Sequence, residues 1–251
     1  MGGGLIFMKI LVTGASSGIG RALVQQLVAQ NHEVVGIARR EPELAALREE
    51  LTSPRFITRV CDVADPQTAL QLVNSLIEQN WIPDIAVLGA AIFPDDIRPA
   101  FDLPLFKKII EVNLFGVFHV INALLPHFLT QRRGQFIALG SMAVYRGSAR
   151  GAGYPASKAA LLAAMKSLAP CYRQKNIHFS TVIFGPILTS MWEGKKSFLT
   201  PSADQAAQYI IKSMAHPNTV SYFPFLSTSL YRASLMLPDK LFALLSQKLL
   251  K

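Results

Sequence analysis

Short apolar runs alternate along this chain with longer stretches in which apolar residues recur at helical spacing. The runs at 9–13, 33–38, 56–61, 85–88, 135–139, 179–183 and 220–223 are nearly continuous in hydrophobicity. That is the pattern of strands buried on both faces, as in a parallel sheet. Between them, helices are expected over 18–30, 41–51, 66–79, 105–129, 154–173 and 203–214. Two starts carry capping chemistry: Asp65 precedes Pro66, and Ser202 stands before Ala203 and Asp204. Strands and helices that alternate in this way predict an α/β fold, a doubly wound parallel sheet of about seven strands with helices on both faces.

Length and composition narrow this picture. With 251 residues, 51% hydrophobic and 16% charged, one sizeable core is expected, so the chain reads as a single domain over 1–251 with a short leader at 1–8 and an apolar C-terminal extension at 222–251. Cys61 and Cys171 lie far apart and outside any Cys-x-x-Cys spacing, which fits a reducing cytoplasm and no disulfide framework. The five histidines show no metal-ligand spacing, so no metal is expected. The formal net charge is +9, but Lys and Arg are scattered, with pairs such as Arg39-Arg40 and Lys195-Lys196 the densest groups; no nucleic-acid partner is expected. The apolar stretch of the leader is too short for a membrane span and lacks the basic lead-in of a secretory signal.

Candidate chemistry begins after the first strand, in Thr13-Gly14-Ala15-Ser16-Ser17-Gly18-Ile19-Gly20. Glycines between a strand and a helix allow a tight turn, close approach of a phosphate and close helix packing, so Gly14, Ser16, Ser17, Gly18, Ile19 and Gly20 form a candidate seat for a dinucleotide pyrophosphate. The alternative is a strand-to-helix turn that needs glycine for geometry alone. The second strand ends in Ala38-Arg39-Arg40 rather than in an acidic residue. Two guanidiniums suit the charge and forked geometry of a 2′-phosphate, which favours NADP(H) as cofactor with Arg39 and Arg40 as its readers. Asp62 and Val63, after the third strand, are placed to meet the adenine through a carboxylate and a backbone amide.

Tyr154 stands four positions before Lys158, in Tyr154-Pro155-Ala156-Ser157-Lys158. That spacing sets both side chains on one helix face, where an ammonium group lowers the pKa of a phenol and fits it for proton transfer. Thirteen positions earlier stands Ser141, and Asn113 lies in Val112-Asn113-Leu114-Phe115-Gly116. Together with Gly185-Pro186-Ile187-Leu188-Thr189, these motifs resemble the short-chain dehydrogenase/reductase family, in their family order and over almost the whole chain.

The resemblance implies a Rossmann-like fold and a set of roles. Tyr154 is then the general acid in reduction and the base in oxidation, its phenolate stabilised by Lys158, which also holds the nicotinamide ribose. Ser141 donates a hydrogen bond to the substrate carbonyl oxygen. Asn113 interrupts its helix and anchors a water that relays protons to Lys158. Ile187 and Thr189 form a clamp on the carboxamide, and Gly185 before them also meets the cofactor. One departure is plain: where the family usually has Asn-Asn-Ala-Gly, this chain has Leu88-Gly89-Ala90-Ala91. The loss of both asparagines predicts altered bracing between strands, while Gly89 and Ala90 still offer backbone beside the cofactor ribose. Phe184, where proline is more usual, is expected to alter packing only.

The expected activity is hydride transfer between NADP(H) and a hydrophobic ketone or secondary alcohol. A non-redox lyase or isomerase, or a nucleotide-sensing binding protein, is the alternative on the same scaffold. Residues 191–199 occupy the place of a substrate lid, in which Trp192 and Phe198 could close on an apolar ligand. Ile92, Phe93, Ala143, Val144 and Tyr145 suggest an apolar pocket, and Arg146 and Arg150 are either solvated or directed to an acidic substrate tail. A homo-oligomer, dimer or tetramer, is expected. The final stretch, 238–251, reads as a helix with Leu241, Phe242, Leu245 and Leu249 on one face. Packing of this helix on protein is favoured; the alternative is peripheral membrane contact, with its lysines toward anionic headgroups.

Overall fold

Seven parallel strands form one sheet in the computed structural model, which describes residues 7–97, 100–146, 151–189, 191 and 200–236. The chain lays down β1 (Lys9–Thr13), α1 (Gly18–Ala29), β2 (Glu33–Ala38), α2 (Glu41–Leu51), β3 (Phe56–Val60), α3 (Pro66–Glu78) and β4 (Ile85–Leu88). There follow α4 (Leu103–Ile110), a π turn (Glu111–Phe115), α5 (Gly116–Gln131), β5 (Gly134–Ser141), α6 (Gly153–Tyr172), β6 (Ile177–Phe184), α7 (Ala203–Ala215), β7 (Val220–Phe223) and α8 (Phe225–Ser234). In space the strand order is β3-β2-β1-β4-β5-β6-β7, so the winding reverses between β1 and β4. At such a reversal the connections leave in opposite directions and a crevice opens beyond the carboxyl ends of the strands.

The alternation of side chains along each strand divides the core into two layers. Ile10 and Val12 of β1 face α1, α2 and α7, where Leu23, Leu27, Leu44 and Ile210 are buried. Leu11, from the same strand, faces the other side and joins Leu76, Leu124, Phe128 and Leu161 from α3, α5 and α6. A fully buried leucine contributes about 1.5–3 kcal/mol relative to an exposed one, so the sheet is held from both faces. The doubly wound sheet expected from the pattern, and the Rossmann-like fold that the resemblance implied, are what is found.

The expected helix over 105–129 is corrected in two ways. It starts earlier, because Asp102 caps α4 by accepting from the Leu105 N–H at 2.9 Å, and it is broken by the π turn. A π turn inserts one residue, and here it directs the Asn113 side chain into the protein, where the residue is fully buried. Within the run Leu103–Gln131 an 18-residue window reaches a mean hydropathy of 1.6, and by length and composition the run could cross a membrane; here α5 supplies Val117, Val120, Leu124 and Phe128 to the core. Helix α8 lies within the stretch expected only to be apolar. The leader residues 1–6 and the expected helix at 238–251 lie outside the described residues.

The turns at the two ends of the sheet differ. Leading from helix to strand, Asn31, Thr52, Asn80, Arg132 and Asn176 adopt left-handed backbone, with φ between 46° and 64°. Leading from β1 into α1, the left-handed positions are Gly14 and Gly18.

Candidate active site

The crevice is a cavity of about 610 Å³ lined from the carboxyl ends of six strands, β1 to β6. Its floor is the turn from β1 to α1. Gly14 lies at φ 76°, and a Cβ there would come within 2.9 Å of the Gly89 and Ala90 backbone; a Cβ on Gly20 would sit 2.2 Å from the Gly14 carbonyl oxygen. The backbone is thus packed too closely for side chains, which is the cradle a pyrophosphate requires. Ser17 caps α1 without a side-chain bond to the helix. Instead the Ser16 and Ser17 hydroxyls accept from Arg40 Nη2 at 2.8 and 2.7 Å. This brings the guanidinium from the end of β2 beside the first turn of α1. Arg39 lies 3.6 Å from the Asp62 carboxylate, and Asp62 also accepts from the Ala64 N–H at 3.0 Å.

The loop after β4 is held without the asparagines expected there. Thr13 Oγ1 accepts from the N–H groups of Gly89 at 3.0 Å and Ala90 at 3.2 Å, so a buried hydroxyl on β1 braces the two strands. Farther along, Asn113 donates to the Ile92 carbonyl at 2.9 Å and accepts from the Ile92 N–H at 2.8 Å. Its Nδ2 also reaches the Ser157 hydroxyl at 3.3 Å.

The opposite wall carries the candidate reacting groups. Ser141 ends β5, where its hydroxyl accepts from the Ala143 N–H and stands near enough to the Tyr154 phenol to favour its ionised form. Tyr154 lies in the first turn of α6, with its ring 4.4 Å from the ring of Phe93. One turn on, Lys158 is buried and donates to the Leu139 carbonyl at 2.8 Å, with its ammonium 5.8 Å from the centre of the Tyr154 ring. The electrostatics correct the expectation of a lowered phenol pKa. Burial raises Tyr154 above the ordinary tyrosine value, and the nearby Ser141 hydroxyl opposes this only in part. Burial also pushes Lys158 down to about 8, which weakens it as a standing positive charge.

Gly185, Ile187 and Thr189 follow β6 and line the cavity above the glycine turn. Apart from Asn113, which acts behind the wall, every residue singled out from the sequence as catalytic or cofactor-binding lines this one cavity. Phe93, Met142, Phe184 and Met191 add apolar surface. Ser227 and Tyr231 of α8 complete the wall, and neither was singled out; no motif marks them, since they arrive from a helix far along the chain. Arg146, partly exposed, donates from Nη2 to the Ser234 carbonyl at 3.1 Å and ties down the end of α8. Beside it the Tyr145 and Tyr222 hydroxyls meet at 2.7 Å. Arg150 and residues 192–199 of the expected lid lie outside the described residues.

Comparison with known proteins agrees with this arrangement. Residues 8–199 match the family model described as short chain dehydrogenase. An uncharacterized oxidoreductase of Myxococcus xanthus is 28% identical over 248 residues, which is 97% of this chain and 98% of that protein. The 3-oxoacyl-[acyl-carrier-protein] reductase FabG of Salmonella typhimurium is 33% identical over 181 residues, covering 72% of this chain and 74% of the relative. Among solved structures, the closed form of a serine dehydrogenase complexed with NADP+ shares the fold with a TM-score of 0.78 at 19% identity, over 86% of this chain and 94% of that one. A 3-oxoacyl-[acyl-carrier protein] reductase of Brucella melitensis with bound NAD shares it with a TM-score of 0.74 at 24% identity, over 86% and 88%.

Proposed function

The chain belongs to the short-chain dehydrogenase/reductase family of oxidoreductases, and on that premise we propose that it is an NADP(H)-dependent enzyme acting on hydrophobic ketones or secondary alcohols. The observation that carries this is the Tyr154 phenol, beside the Ser141 hydroxyl and one helical turn from Lys158, at the edge of a glycine-floored cavity. When bound, the nicotinamide dinucleotide supplies or takes up the hydride. The protein's groups do the rest. Ser141 donates a hydrogen bond to the carbonyl oxygen and fixes its position. Tyr154 gives its proton to that oxygen as hydride reaches the carbon, and takes it back in oxidation. Its raised pKa keeps the phenol protonated, the form a reductase needs at neutral pH. Lys158 binds the nicotinamide ribose and returns a proton toward Tyr154, a transfer for which a pKa of about 8 is well matched.

Preference for NADP(H) is supported by Arg40, held by Ser16 and Ser17 at the helix entrance, and by Arg39 beside it, with Ala38 where an acidic ribose partner would stand. The apolar substrate class is supported by Phe93, Met142, Phe184 and Met191 in the cavity wall. Free Cys61 and Cys171 support a reducing cytoplasm. Half-exposed Leu103 and Phe115, on α4 and the π turn, support a homo-oligomer that covers them. A screen of ketones and alcohols that follows nicotinamide absorbance tests the function, with a 3-oxoacyl thioester added because the Salmonella relative's name points to one. Consumption of NADPH with an apolar ketone is the expected result. Tight binding of cofactor with no redox turnover on any substrate would favour a nucleotide-sensing protein instead.

A further inference from the structure

The start of α6 has an unusual cap. Its own capping residue, Ala152, has no side chain able to accept a hydrogen bond, and the first turn holds no acidic residue. The opening N–H groups of a helix need acceptors when they are buried. Here both acceptors come from Asp96, more than fifty positions upstream in the loop after β4. Its Oδ1 accepts from the Ala152 N–H and its Oδ2 from the Gly153 N–H, each at 2.7 Å. Asp96 is fully buried.

The surroundings are shaped for this carboxylate. A Cβ on Gly151 would stand 2.3 Å from Asp96 Oδ1, and one on Gly153 would stand 2.9 Å from Oδ2. Gly-Ala-Gly before Tyr154 therefore clears space for the two oxygens. The Asp96 carbonyl also accepts from the Asp102 N–H at 2.9 Å, at the cap of α4, and α4 leads through the π turn to Asn113. Asn113 in turn grips Ile92, next to the Phe93 ring that lies against Tyr154. The loop that flanks the substrate site and the helix that carries Tyr154 are thus fastened to each other at Asp96. A carboxylate at the positive end of a helix is favourable in its own right.

We infer that Asp96 is a positioning residue for the oxidoreductase reaction: a helix cap delivered from the substrate-side loop that sets where the Tyr154 hydroxyl stands relative to Ser141. The inference rests on the function proposed above. Asp96 touches neither substrate nor cofactor and acts through the first turn of α6.

The test compares the parent with Asp96→Asn and Gly151→Ala. The first keeps the volume and turns an amide N–H against a backbone N–H. The second leaves the charge and pushes the carboxylate aside. Sites are counted by NADPH fluorescence titration, and kcat and KM are measured per site with a ketone the parent reduces. A misplaced proton donor lowers kcat while leaving binding alone, so the expected result is a fall in kcat of about tenfold to a hundredfold in both variants, with KM and the NADPH dissociation constant within about twofold of the parent. A purely structural cap would lower the melting temperature and the number of sites but leave kcat per site unchanged, and that outcome overturns the inference. So does failure of both variants to bind NADPH, which would make Asp96 a folding determinant. Absence of turnover by the parent itself would instead remove the oxidoreductase reading on which the inference depends.

Discussion

The side chain of Asn113 pairs with the main chain of Ile92 on both sides, accepting its N–H at 2.8 Å and donating to its carbonyl at 2.9 Å. This pairing uses an amide's donor and acceptor together, and a carboxylate cannot reproduce it. Asn113→Asp sets a negative oxygen against a carbonyl oxygen at a fully buried site. We expect a loss of about 3 kcal/mol or more in unfolding free energy at neutral pH. Because a protonated carboxyl regains a donor, part of the loss should return as the pH falls through the carboxyl's titration. Denaturant midpoints at several pH values check both statements, and an unchanged midpoint at pH 7 would show the pairing to be dispensable.

Tyr154→Phe keeps the ring against Phe93 and removes the hydroxyl that meets Ser141. Loss of a general acid predicts a fall in kcat of about a hundredfold or more, with NADPH affinity nearly intact. Lys158→Ala should weaken both, since Lys158 is assigned to the ribose as well as to the proton path. Steady-state rates beside cofactor titration separate the two variants. Parent-like turnover by Tyr154→Phe would remove Tyr154 from its role.

NADPH should stabilise the protein more than NADH does. A hundredfold difference in affinity, with both cofactors well above their dissociation constants, corresponds to about 2.7 kcal/mol. Arg40→Ala removes the guanidinium that spans Ser16 and Ser17, and Arg39→Ala the one beside Asp62. The double variant should melt alike with either cofactor. Equal melting shifts for the parent would contradict the proposed preference.

Lys158 also leaves a signature in the pH dependence of stability. Its pKa in the folded protein, about 8, lies below the ordinary lysine value. Between the two, the unfolded chain binds a proton that the folded chain does not, so this side chain's contribution to stability rises as pH increases through that window. Buried Cys61, pushed up to about 11, and Tyr145, pushed up to about 12, act in the opposite direction at high pH. The test is therefore a difference: the stability of the parent minus that of Lys158→Met, measured from pH 8 to about pH 10. It should increase across the range, and a flat difference would mean that the ammonium titrates normally.

Most of the sheet was legible because apolar runs mark buried parallel strands directly. Ile10, Leu11 and Val12 show why: both faces are covered, so the run is continuous. The residues lining the cavity were legible because a glycine turn, a Tyr-x-x-x-Lys spacing and a pair of arginines are each local in sequence. What escaped was non-local. Thr13 braces Gly89 and Ala90 from another strand, and its hydroxyl replaces side chains whose absence had seemed a loss. Asp96 meets its partners across more than fifty residues. The π turn escaped the hydrophobic pattern because one inserted residue barely disturbs helical period, and only the family resemblance pointed to an interruption at Asn113. Helix α8 escaped because neither its capping position, Pro224, nor its first turn carries a recognisable signal.

The left-handed residues at the helix-to-strand turns divide the molecule by tolerance to change. Asn31, Thr52, Asn80, Arg132 and Asn176 stand where the strands begin, away from the carboxyl ends that line the cavity. Thr52 and Arg132 hold there a backbone shape that their side chains disfavour. That rim is consequently where an engineer would look for robustness: glycine at those two sites, foreign sequence inserted at the turns, or attachment to a support would alter durability and handling while leaving turnover at the opposite rim as it was.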